Sequence, residues 1–180
     1  MKYERKTLIC EGKSKILYET NDCNHIIQFF KDDATAFNAL KKGQIHNKGI
    51  INNQVSSFIF RYLSKNGIQS HFVERLSDRE MLVKKLEIIP VEVVVRNRAT
   101  GSICKRLGIE KGRPFTPELL EYFYKSDELG DPLIGEGHIF YFKWANEREL
   151  AQMVENTLKV NGLLRKVFDD IGLELIDFKL

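Results

Sequence analysis

Pro90–Ser102, PVEVVVRNRATGS, is a β-branched run that ends on Arg96 and Asn97 and then on a Gly101-Ser102 pair. Such a run favours a buried strand, and here the strand delivers a fixed cation into a small-residue turn, a common way of presenting an anion site. Upstream, the chain reads as short strands around one helix. Lys6–Cys10, Ile16–Glu19 and Ile26–Phe30 are separated by Gly12 and by Asn21-Asp22, the pattern of an antiparallel meander. From Gly49 to Lys65 the apolar residues Ile50, Ile51, Val55, Phe58, Ile59, Tyr62 and Leu63 recur at three and four, and Asn66-Gly67 closes them as a helix C-terminus. Three more strands are expected around Ser70–Arg75, Met81–Lys84 and Ile88–Val95.

Downstream of Gly101 the punctuation changes. Gly108, Gly112, Pro114, Pro117, Gly130, Pro132, Gly135 and Gly137 mark a loop-rich region of the kind that carries function. A long helix is expected over Glu147–Asp170, with Leu150, Met153, Val154, Thr157, Asn161, Leu164, Val167, Phe168 and Ile171 near one face, stopped by Gly172. Leu173–Leu180 reads as a closing strand. The lobe boundary falls near Glu87–Pro90, giving an α+β chain with an antiparallel N-terminal lobe and a mixed C-terminal lobe.

With 180 residues, 43% of them apolar, the chain is long enough for one full core or two small lobes. The longest apolar run, Ile88–Val95, is broken by Pro90 and Glu92 and falls far short of the roughly 20 residues of a membrane span. The start, MKYERKTLIC, has no apolar stretch behind its charges, so the cytoplasm is the expected location. Cys10, Cys23 and Cys104 are odd in number and widely spaced, which fits reduced thiols, and His25, His46, His71 and His138 show no metal-ligand spacing. A net charge of +3 suits small anionic substrates and lacks the concentrated basic face of a nucleic-acid binder.

Several short segments carry chemistry. In EGKSK, Glu11 to Lys15, Gly12 lies at a hairpin turn and permits close backbone approach to a phosphate. Alternation along the outgoing strand puts Lys13 and Lys15 on one face; the plainer alternative is a glycine turn with solvated lysines. In FKDDATAFNA, Phe30 to Ala39, the adjacent Asp32 and Asp33 beside Lys31 could bind a metal, accept from an amine, or cap the next element, and capping fits at least one of them. KGIINN, Lys48 to Asn53, is either an anion-favouring helix start or a polar helix entry. Arg96 can grip carboxylate or phosphate with two parallel hydrogen bonds, and the turn at Ser102 adds a hydroxyl and backbone donors. Lys125, Asp127, Asp131 and His138 lie in the loop-rich region, where they either converge on a cleft or are simply solvated.

Taken in order, EGKSK, FKDDATAFNA, KGIINN, VKKLEIIPVEVVVRNRATGS, YKSDELGDPLI and LELIDFKL closely resemble the phosphoribosylaminoimidazole-succinocarboxamide synthase (SAICAR synthetase) family over essentially the whole chain. The resemblance implies a ligase of purine synthesis that joins carboxyaminoimidazole ribonucleotide to L-aspartate, using ATP and magnesium. It implies a two-lobed fold: an antiparallel, somewhat kinase-like or ATP-grasp-like lobe over residues 1–87 that covers ATP, and a substrate lobe over 88–180, with the ATP cleft between them. By carry-over, Gly12, Lys13 and Lys15 hold ATP phosphates, with Lys13 also counted as catalytic. The Lys84–Glu87 connection, Leu86 included, lines the adenine pocket. Arg96 and Ser102 bind the ribonucleotide, and Lys125 and Asp127 act near the substrates.

Two departures accompany the resemblance. The usual Ala-Ala-Gly-Ser is here Ala99-Thr100-Gly101-Ser102, tolerable if Thr100 points away from substrate. Family members continue beyond LELIDFKL into a segment with acidic magnesium ligands, so the metal ligands are expected beyond Leu180, Asp177 is the nearest remaining acid, and a truncated, inactive ligase is an alternative. A nucleic-acid-binding α+β module is the rival of another class; no RNP-like signature supports it, and no GxGxxG, HRD or DFG supports a protein kinase. Partners are the two small substrates, with no nucleic acid, no membrane, and a homodimer as the candidate assembly.

Overall fold

The computed structural model of the chain describes residues 3–36 and 41–180, so Phe37, Asn38 and Ala39 of FKDDATAFNA lie outside the described residues. The chain divides into two compact units, one up to Glu87 and one from Ile88 onward. Each is built on its own antiparallel sheet, as expected of an α+β chain. The three cysteines are free thiols, and among the described residues no helix is long and apolar enough to cross a membrane.

In the first unit, β1 (Leu8–Glu11), β2 (Lys15–Glu19) and β3 (His25–Phe30) form the expected meander. A short ladder of β4 (Asp33–Ala36) and β5 (Lys41–Gln44) follows, then α1 (Lys48–Lys65). Strands β6 (Phe72–Arg75) and β7 (Glu80–Lys84) complete the five-stranded order β1-β2-β3-β7-β6. Helix α1 packs on β3, β6 and β7. Its docking is fixed by two residues that the sequence presented as polar helix entry. Gly49 sits so close to β3 that a Cβ there would fall on the Phe30 carbonyl and 2.7 Å from Arg79 Nη1, so only glycine fits. Asn53 is buried and donates from its amide to the carbonyls of Ser77 and Asp78, at 3.0 Å each.

Asp32 and Asp33 prove to be structural partners. Asp32 accepts from the Gly49 backbone N–H at 2.8 Å, capping α1 from a neighbouring segment, and is held by both outer nitrogens of Arg79 at 2.7 and 2.8 Å. The Arg79 guanidinium, with the Gly49 N–H adding to it, holds the Asp32 carboxyl far below the usual carboxylate range. The anion that the start of α1 attracts is therefore the chain's own Asp32. Asp33 pairs with Lys31 at 2.5 Å.

In the second unit the strand of the opening motif is β8 (Val91–Arg98), three residues later at each end than the run Ile88–Val95 suggested. Arg96 therefore lies inside the strand. Strand β8 is central in the order β10-β9-β8-β11, between β9 (Pro114–Tyr124) and β11 (Asp177–Lys179); β10 (Leu133–Ile134) lies beyond β9. The region after Gly101, expected to be loop-rich, holds α2 (Ser102–Leu107), the long β9 and α3 (Glu136–Tyr141). Pro114 and Pro117 concealed β9, and both stand in its irregular first half, opposite a register shift between Arg96 and Arg98. The closing strand is only three residues long, and Leu173 before it is exposed.

Helix α4 (Glu147–Asp169) starts with a reciprocal cap in which Asn146 and Glu149 exchange hydrogen bonds of 2.9 Å. It turns Leu150, Thr157, Val160, Asn161 and Leu164 inward, while Ile171, expected on that face, lies beyond the helix and is exposed. Strand alternation then divides the residues of β8. Val91 packs with Ile139, Ala145 and Leu150, and Asn97 meets Asn161 of α4. Their buried amides exchange two hydrogen bonds of 2.9 and 3.0 Å, and Asn97 adds a third to the Leu175 carbonyl at 3.1 Å. The even-numbered residues face the other way. Replacing Asn161 by Ala leaves the buried Asn97 amide with a lost partner on each side, so a loss of about 2 kcal/mol is expected in urea unfolding of the chain; an unchanged midpoint would show that the amide pair does not anchor α4 to β8.

Candidate active site

Up to the register shift before Arg98, the even-numbered side chains of β8, Glu92, Val94 and Arg96, line a cavity of about 580 Å³. Pairing extends that wall, because residues directly opposite one another in an antiparallel sheet share a face. Arg96 stands opposite Asp177, and Val94 stands opposite both Lys179 and Glu121. Ser102 and Arg106 of α2 and Gly130 and Asp131 of the loop before β10 add polar lining, and Phe123, Leu133 and Phe178 supply its apolar part.

A chain of ion pairs crosses this wall. Arg96 Nε donates to Glu121 Oε2 at 2.6 Å and Nη1 donates to Asp177 Oδ2 at 3.1 Å; the Arg96 and Glu121 side chains are only 8% and 9% exposed. The other oxygen of Glu121 accepts from Arg106 Nη2. One buried carboxylate thus holds two guanidinium groups at the cavity. Glu92 does the same for two lysines, with Lys179 Nζ at 2.6 Å and Lys125 Nζ at 3.5 Å. Four cations and four carboxylates, counting Asp131, are gathered in and around one cavity, with the cations placed by buried acids rather than by mobile stems.

Among the residues expected at the ribonucleotide end, the structure brings Arg96 and Ser102 onto the cavity wall and ties Lys125 to it through Glu92. Asp127 lies in a short 3-10 turn, Asp127–Leu129, and it is Asp131 of the same loop that lines the cavity. His138 is a helix cap, its Nδ1 accepting from the Gly135 backbone N–H at 3.0 Å. Thr100 lies outside the cavity lining, and its hydroxyl donates to Asp177 Oδ2 at 3.2 Å. Glu92, Glu121, Arg106 and Lys179 join the site without having stood out in the sequence. The signal for two of them was present, since Glu92 shares a parity with Arg96, and Asp177 and Lys179 alternate in LIDFKL. Glu121 and Arg106 carried no local signal, because their role depends on β9, which the prolines hid.

The nucleotide-end residues all lie in the first unit. Gly12 closes the β1–β2 turn with its N–H on the Lys15 carbonyl at 2.9 Å. Lys13 sits in that turn and only Lys15 belongs to β2, so the two lysines do not share a strand face as alternation suggested. Lys15 Nζ lies 5.4 Å from the centre of the Phe30 ring. Lys84 ends β7 opposite His25, and Leu86 follows it, exposed. Because Lys15 pairs with Phe30 and Lys84 pairs with His25, the two lysines stand at opposite ends of β3, about 17 Å apart along the strand direction. Burial pushes the His71 imidazole below its ordinary value, and the nearby Lys15 charge adds to that push.

The family model for SAICAR synthetase matches residues 8–180. A phosphoribosylaminoimidazole-succinocarboxamide synthase of Novosphingobium aromaticivorans is 53% identical over 176 residues, covering 98% of this chain and 67% of that protein. The enzyme of the same name from Thermoanaerobacter pseudethanolicus is 53% identical over 177 residues, covering 98% and 75%. Among solved structures, the synthase of Ehrlichia chaffeensis superposes with a TM-score of 0.94 at 47% identity, covering 97% of this chain and 73% of that one. A SAICAR synthetase in complex with ADP superposes at 0.91 with 38% identity, covering the same shares. The match runs through both sheets and through the strand that carries Arg96, and the chain belongs to the SAICAR synthetase family.

Proposed function

We propose that this chain is an ATP-dependent carbon–nitrogen ligase of purine synthesis, acting in the cytoplasm to join the carboxylate of carboxyaminoimidazole ribonucleotide to the amine of L-aspartate. Family membership carries the reaction class. The observation that carries the placement of the ribonucleotide is the even-numbered face of β8, where buried carboxylates pre-set Arg96, Arg106 and Lys179 around a cavity. The nucleic-acid reading gains no support: the cations of this cavity, Arg96, Arg106 and Lys179, are interleaved with acids rather than forming the basic face that a nucleic acid requires.

The chemistry explains why such an arrangement is useful. An amine does not displace oxide from a carboxylate at neutral pH, so the carboxylate oxygen first attacks the γ-phosphorus of ATP, releasing ADP and forming an acyl phosphate. The aspartate nitrogen then attacks the acyl carbon, phosphate leaves with the electron pair, and the nitrogen sheds a proton. Both steps gather negative charge, and fixed cations stabilise it without reorganisation. In the first unit the Gly12 turn with Lys13 and Lys15 receives the phosphates, and Lys84 with Leu86 receives the adenine. The length of β3 between those ends is suited to an extended nucleotide. In the second unit Arg96 and Ser102 hold the ribonucleotide so that its carboxylate is presented in one orientation, and Lys125, tethered to Glu92, offsets charge on the reacting group. Asp127 stays a candidate through its place in the same loop as Asp131.

The described residues contain no group of three or more acidic, histidine or cysteine side chains able to cage a metal. Magnesium stays part of this reading: held mainly by the ATP phosphates, it needs only one or two protein carboxylates, and it would add positive charge at the γ-phosphoryl group to that of the lysines.

ADP release measured with each substrate omitted in turn is expected to require ATP, the ribonucleotide and aspartate together; release that ignores the ribonucleotide and aspartate would overturn the ligase reading. In the same assay Arg96→Lys, which keeps the charge and loses the fork, is expected to weaken the ribonucleotide by about tenfold or more with ATP within about twofold, and equal losses would contradict its assignment. The His71 imidazole reports on Lys15. Phosphates bound at Lys15 offset its charge, so adding ADP is expected to move the His71 midpoint upward in an NMR titration; nucleotide binding with no such movement would place the phosphates elsewhere.

A further inference from the structure

We propose that Thr100 is a positioning residue of the ribonucleotide site, acting through Asp177. The inference rests on the reading above, in that it takes the Arg96 face as the place where the ribonucleotide binds.

Asp177 Oδ2 accepts two hydrogen bonds, from Arg96 Nη1 at 3.1 Å and from the Thr100 hydroxyl at 3.2 Å. These two donors reach it from different segments, one inside β8 and one from the turn that follows it. A carboxylate held by one donor pivots about it, whereas two donors converging on one oxygen fix the plane of the group and direct the other oxygen. The second donor matters because of where Asp177 sits. Arg96 and Glu121 are closed off from solvent, but the Asp177 side chain is 37% exposed. An ion pair at that exposure is screened and holds its geometry weakly by itself. Asp177 is thus the solvent-facing end of a relay that runs from Arg106 through Glu121 and Arg96, and it is the member most in need of another contact.

Thr100 is built to supply it. Its β-branched side chain is stiff about χ1, so the hydroxyl is presented at little entropic cost. Its backbone is fixed between the end of β8 and Gly101, whose φ of 63° starts the turn into Ser102 and α2. Thr100 is not part of the cavity wall, whereas Arg96, Ser102 and Asp177 are. Its effect on the ribonucleotide passes through Asp177, which presents a fixed acceptor to a hydroxyl or amino hydrogen of the ligand and keeps the Arg96 fork from swinging.

The test compares Thr100→Val, which keeps the shape and removes the hydroxyl, with Thr100→Ser, which keeps the hydroxyl. Calorimetric titration of the full chain with carboxyaminoimidazole ribonucleotide and, separately, with ATP is expected to show about fivefold weaker ribonucleotide binding in T100V, with ATP within about twofold and T100S restored to within about twofold of the unsubstituted chain. A ligand-free cycle of T100V, D177N and the double variant in urea unfolding is expected to show coupling of about threefold or more in the unfolding constant. Unchanged ribonucleotide binding in T100V, or T100S no better than T100V, would overturn the role. Should the unsubstituted chain bind no ribonucleotide, the proposed function is what fails, and the unfolding cycle alone judges Thr100: additive effects overturn its hold on Asp177, and coupling upholds it.

Discussion

Arg96 is a guanidinium placed inside the central strand of a sheet, and the second unit is arranged around the need to neutralise it there. A buried charge without a partner is far more costly than the pair it forms, so the strand on each side must bring a carboxylate to the same face. Strand β9 brings Glu121 and β11 brings Asp177. The same requirement fixes register, because a one-residue slip of either strand would turn its acid toward α4 and leave Arg96 uncompensated. Glu121 then carries a second guanidinium, from Arg106 of α2, and so ties the helix after the turn to the strand before it. Structure and site are held by one set of contacts.

The opposite face of β8 has the complementary task. Val91 joins an apolar cluster with α3 and α4, and the one polar residue on that side, Asn97, is satisfied by Asn161 and the Leu175 carbonyl. A strand that is buried on both faces, apolar toward the helix and charged toward the cavity, makes a rigid mount for a binding group. The first unit reaches rigidity differently, through the close approach of Gly49 to Phe30 and the Asp32–Arg79 pair, while Lys15 and Lys84 pair with opposite ends of β3.

Much of the framework was legible in the residues. Periodicity located the meander, α1 and α4, because apolar spacing reports directly on which side is buried. It failed over residues 102–141, where glycine and proline are frequent and β9 nevertheless forms; its prolines occupy the stretch where the ladder is interrupted. That failure concealed Glu121 and with it the reason Arg96 can be buried. At the site, Arg96 and Ser102 were visible as a strand running into a small-residue turn. Lys13 and Lys15, expected on one strand face, are divided between the turn and β2, and the Thr100 hydroxyl meets Asp177, a partner 77 residues away that no local pattern names. Local pattern reports burial; it does not report which distant acid a cation will meet.

The central claim is that the Glu92–Val94–Arg96 face of β8 receives the ribonucleotide. A crystal structure of the chain with carboxyaminoimidazole ribonucleotide bound tests it most directly. The account predicts ligand density in the cavity lined by Arg96, Ser102 and Asp177, with the Arg96 guanidinium in hydrogen-bond contact with it; ordered ligand elsewhere, with that cavity empty, would contradict it.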